Sequence, residues 1–231
     1  MNQPSRRRFV AVSLAGLPVM VGGAATLVGI SSGTLDASAQ QSNSTTDTVL
    51  DAIMADFREL QREGDEKPGQ RRGVVRAAET LTGVLAAHLG QHHDAELKRG
   101  IRQQLQRKGR QALVQELSVR INKPEFTHEV IDAMLSRLER DGTRGVLLDV
   151  QKAIRRMREN MPPDYLAVRA GTQYDFCSDL RWFIDLAEMM AALSCALALG
   201  MAGLNPGADA ACAGATAALG MYLAMKMWYG C

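Results

Sequence analysis

Three of the chain's four histidines stand together in His88-Leu89-Gly90-Gln91-His92-His93. On a helix, imidazoles at i and i+4 share a face and can chelate a divalent ion, with Asp94 or Glu96 at hand to add an oxygen. No glutamate lies between His88 and His92, so the His-Glu-x-x-His pattern that carries its own general base is absent. His88 and His92 also continue the apolar stripe Val74, Ala78, Leu81 and Leu85, where a histidine packs through a hydrogen bond. They are read first as structural or surface histidines, and second as a metal or haem site formed by His88 and His92 with His93 beside them. No other cofactor is predicted.

The four cysteines all lie beyond residue 176, at Cys177, Cys195, Cys212 and Cys231. The only charges in 177–231 are Asp179, Arg181, Asp185, Glu188, Asp209 and Lys226, and the turn signal Asn205-Pro206-Gly207 divides the segment into two apolar arms. Those arms predict a helical hairpin, from about Ser178 to Gly203 and from about Ala208 to Tyr229. Within one arm the cysteines would stand about 27 to 29 Å apart along the helix, far beyond the reach of a disulfide. In an antiparallel hairpin, facing residue numbers keep a nearly constant sum. Cys195 with Cys212 and Cys177 with Cys231 satisfy one register together, whereas Cys177 with Cys212 and Cys195 with Cys231 need a badly slipped hairpin. The nested pairs Cys195-Cys212 and Cys177-Cys231 are therefore expected, with Gly230 freeing the end of the chain to reach back.

Small residues recur every four positions on both arms, as Ala210, Gly214 and Ala218 and as Ala192, Ala196 and Gly200, a pattern that lets helices approach closely. The remaining Leu and Met side chains need cover from the rest of the chain, from a second copy, or from lipid. The longest uncharged stretches, Met189–Asn205 and Ala210–Met225, fall short of the roughly 20 residues that span a bilayer.

Lys98, Arg99, Arg102, Arg107, Lys108 and Arg110 form a basic run without an acid. Such a run is either the wet face of a helix or a contact for anionic headgroups or envelope polymers. It has no interleaved aromatic residues, so nucleic acid is not an expected partner. No Gly-x-Ser-x-Gly, phosphate-binding glycine loop, Cys-x-x-Cys or calcium loop occurs, and the expectation is a non-enzymatic protein.

The elements that must carry these residues read as helices. Only 5% of the 231 residues are aromatic, and Ala, Leu, Gln, Glu, Arg and Met dominate between breakers. Residues 47–161 predict a charged amphipathic bundle of about five helices. Asp47 or Thr46 caps the first, with Val49, Ile53, Phe57 and Leu60 inward; a bend falls near Gly90 or Asp94; Thr127 caps a helix that stops at Gly142. Met161-Pro162-Pro163 opens a linker over 162–176, and 177–231 is the hairpin. The fold class is all-α, a helical bundle with a disulfide-stapled antiparallel hairpin at its C-terminal end.

Residues 1–39 combine the basic cluster Arg6-Arg7-Arg8, an apolar stretch from Phe9 to Ile30, and Ala37-Ser38-Ala39. These are the three regions of a signal peptide, with cleavage expected after Ala39 and a flexible start over 40–46. Without that segment the chain holds 24 basic and 24 acidic residues. Ser5-Arg6-Arg7-Arg8-Phe9 resembles the twin-arginine export signal, with Val10 and Ala11 where that signal has Leu and Lys. The resemblance implies a twin-arginine translocase and a signal peptidase as partners, and a periplasmic or extracellular, disulfide-permitting location with membrane association open.

The layout of twin-arginine leader, charged helical region and apolar cysteine-bearing tail also resembles halocin C8-type bacteriocin precursors, whose tails hold more cysteines at closer spacing. The sequence thus predicts an exported non-enzymatic protein with a structural or interaction role, self-associating or meeting an envelope surface. One alternative is the precursor of a membrane-active antimicrobial peptide in residues 164–231. The other is an exported metal or haem protein using His88 and His92.

Overall fold

The computed structural model describes residues 47–66, 71–161, 176–201 and 204–231. Arg6, Arg7, Phe9, Ala37 and Ala39 of the expected leader, the segment 40–46 and nearly all of the 162–176 linker lie outside them. Among the described residues every regular element is a helix, and there are no strands. Its helices are α1 (Thr48–Glu66), α2 (Arg71–His92), α3 (Asp94–Lys108), α4 (Arg110–Ile121), α5 (His128–Asn160), α6 (Phe176–Met201) and α7 (Pro206–Tyr229).

Local chemistry explains most of the boundaries. Asp47 accepts the Leu50 amide at the start of α1, and Thr127 accepts the Val130 amide at the start of α5. Asn205 accepts the Ala208 amide at 3.0 Å with Pro206 in the first turn of α7, so the turn signal is a capped helix start. α4 ends on Asn122 and α7 on Gly230, both in the left-handed conformation.

Two expectations change in detail. On α1 the inward stripe is Leu50, Ile53, Met54 and Phe57, while Val49 is 49% exposed. Both stripes have helical spacing, and packing against α2 and α7 selects the one that is buried. On α5, Gly142 breaks the helical path (φ 69°, ψ −174°), yet the helix resumes at once and runs to Asn160. Asp94 from α3 fits into that break: one carboxylate oxygen accepts the Thr143 amide at 2.8 Å and the other the Arg144 amide at 3.0 Å. An acid from another helix thus caps the second half of α5.

The hairpin is the central layer of the unit Asp47–Cys231. α7 packs on α1, α2, α3 and α6, while α6 packs on α4, α5 and α7. Cys195–Cys212 joins the arms near the turn and Cys177–Cys231 at the open end, with Cα separations of 4.6 and 5.3 Å. They close sequence separations of 17 and 54 residues. Chain entropy then assigns them about 3 and about 4 kcal/mol taken singly, and less for the second once the first is made.

Gly214 departs from the small-residue pattern expected between the arms. A Cβ there would sit 3.1 Å from Leu85 and Leu89, so its close approach is to α2. Gly64 of α1 likewise receives the Trp228 ring. Tyr222 is fully buried. The Thr82 hydroxyl donates to the Ala78 carbonyl at 2.7 Å, so the Tyr222 hydroxyl donates to Thr82 at 3.2 Å. By length and composition α6 and α7 could each cross a membrane, but 61% of each apolar window is buried inside the bundle.

Candidate functional site

The break between α2 and α3 gathers the histidines. α2 ends at His92, α3 starts at Asp94, and His93 between them has φ −123° and ψ −28°. Its amide still donates to the Leu89 carbonyl and its carbonyl accepts the Glu96 and Leu97 amides, so His93 stays hydrogen-bonded to both helices across the bend. The start of α7 braces the bend: a Cβ on Gly207 would lie 2.4 Å from the His93 carbonyl oxygen, a contact only glycine permits.

Residues five apart on an unbroken helix point about 140° away from one another. The bend brings the His88 and His93 rings to one side, where Asp47 meets both. Asp47 Oδ2 lies 2.7 Å from His88 Nε2 and 2.5 Å from His93 Nε2. Its other oxygen caps α1, so one carboxylate ties the start of α1 to the α2–α3 junction. The side chains of His88, His93 and Asp47 keep 10%, 15% and 26% of their surface exposed, so the cluster is largely enclosed yet reachable. Burial raises the Asp47 pKa, but hydrogen bonds from His88, His93 and the Leu50 amide outweigh it and hold the carboxyl well below its usual range. His93 Nδ1 is buried with no hydrogen-bond partner, leaving its Nε2 side to orient the ring.

This differs from the pairing expected from spacing. His92 is exposed, its ring 4.8 Å from that of His88 by centroid, and His93 takes its place in the cluster. Asp94 is not available as an oxygen donor because both its carboxylate oxygens cap α5. Burial pushes its pKa up against those two amide hydrogen bonds. Asp47 carries no sequence signal as a partner of the histidines: it stands 41 positions before His88, and nothing local connects them.

The basic run divides. Lys108 pairs with Glu116, and Arg110 with Asp132 and Glu139. Lys98 is half-buried close to Asp94 and Asp141. Arg99, Arg102 and Arg107 point to solvent. Comparison with known protein families, with curated proteins and with solved structures finds no match for this chain.

Proposed function

We propose that this is an exported, non-enzymatic protein with a structural or interaction role, in which a helical sheath keeps a stapled apolar hairpin covered. The observation that carries this reading is the position of the hairpin at the centre of the bundle, closed by two disulfides with no free cysteine. Disulfides persist in oxidising compartments, which accords with a twin-arginine leader ending at Ala39. The translocase and signal peptidase would be partners in transit, and Arg99, Arg102 and Arg107 would face an anionic envelope surface.

Intact-mass measurement on protein recovered outside the cytoplasm tests the reading. The expected species begins at Gln40 and gains the hydrogens of two disulfides on reduction. Arg6→Lys with Arg7→Lys should leave the precursor inside the cell. Recovery of a cytoplasmic chain with four free thiols would reject the proposal.

One observation favours a second reading, that residues 164–231 form a releasable membrane-active peptide. Both disulfides join residues of the hairpin only, so its staples would survive separation from the body. The reading requires a stapled fragment of that length in the medium; its absence while the intact chain accumulates would reject it.

A further inference from the structure

We propose that Asp47, His88 and His93 form a divalent transition-metal site, with zinc the ion it fits best. Their candidate donor atoms, one from each residue, lie within 4.8 Å of one another. Two imidazole nitrogens and a carboxylate oxygen suit an ion of borderline softness such as Zn²⁺. Donors about 2.0 to 2.2 Å from a tetrahedral ion stand about 3.4 Å apart, so modest side-chain rotations convert the hydrogen-bonded cluster into a coordination shell.

The donors come from three places that the fold brings together: the start of α1, the last turns of α2 and the bend before α3. With no ion, each Nε2 donates its proton to the same Asp47 oxygen. An ion would take the lone pairs of both Nε2 atoms and of Oδ2 instead, and each neutral imidazole would carry its proton on Nδ1. The partial exposure of all three side chains leaves a path for entry and a position for water. The donors crowd around one oxygen, an arrangement for a single small ion.

His92 makes the proposal sharp, since a chelating pair read from helix spacing would use it and the cluster does not. Purified protein stripped of metal would be titrated with ZnCl₂ against a chromophoric chelator, with Co²⁺ as a second probe read by its visible ligand-field bands. One equivalent of Zn²⁺ should bind. His88→Gln and His93→Gln should each weaken binding by about tenfold or more and alter the Co²⁺ spectrum, whereas His92→Gln should leave both within about twofold. Circular dichroism identifies any variant that has not folded. For such a variant, the Co²⁺ spectrum of wild-type protein supplies the test, since the site requires bands of nitrogen and oxygen ligation. Failure of wild-type protein to bind Zn²⁺ at micromolar concentration, or loss of binding in His92→Gln alone, would overturn the proposal.

Discussion

Gly142 shows how a single residue can hold two helices in register. Its φ of 69° with ψ of −174° belongs to a region open essentially to glycine, and a Cβ there would sit 2.4 Å from the Asp94 carboxylate. Gly142→Ala therefore strains the backbone and displaces the acid that caps Thr143 and Arg144. A loss of about 2 to 3 kcal/mol is expected, measured by urea denaturation with the disulfides intact. The glycine was legible in the sequence as a helix stop, but the acid it admits was not. Asp94 looked like a free oxygen donor beside the histidines because its true partners lie 49 and 50 positions further along.

At the level of elements, α2 is tied to α5 by Glu79, which is 7% exposed. Its carboxylate oxygens accept from Arg155 Nε and Arg158 Nε, each at 2.8 Å, and Gln151 donates to its backbone carbonyl. Burial raises the Glu79 pKa, but the two guanidinium groups outweigh it and the net shift is downward. A carboxyl with a depressed folded-state pKa stabilises the fold fully above its unfolded value of about 4.3 and loses that contribution as pH falls through the lower folded value. Unfolding free energy followed from pH 6 towards pH 3 should therefore drop. Glu79→Gln should lower stability at pH 6 and flatten the part of the acid decline that Glu79 causes. An equal acid slope in wild type and variant would show that other carboxyls account for it.

For the molecule as a whole, the burial of the hairpin decides how it meets a membrane. Each arm is long and apolar enough to span a membrane, but 61% of each apolar window is buried inside the bundle, by the other arm as well as by the surrounding helices, and Trp228 and Tyr222 are engaged by α1 and α2. The intact protein should accordingly leave dye-loaded anionic vesicles sealed at neutral pH. Urea at concentrations that loosen the body while the disulfides remain should start leakage. Leakage from the native protein under the same conditions would mean that the sheath does not confine the arms.

Helix identity, a cap at Thr46 or Asp47, the cap at Thr127, the turn at Asn205-Pro206-Gly207 and the pairing of the cysteines were all within reach of the sequence alone. Each depends on neighbours within a turn or on one register rule about the Asn205-Pro206-Gly207 turn. Tertiary structure alone decided which face of α1 is buried, where Gly214 makes its close approach, and which histidines meet. His88 and His92 share a face on any straight helix. It takes the bend at His93, braced by Gly207 from α7, and a carboxylate from the start of α1 to put His93 in His92's place. Helical periodicity is a property of adjacent residues, whereas that cluster exists only after three distant segments have packed.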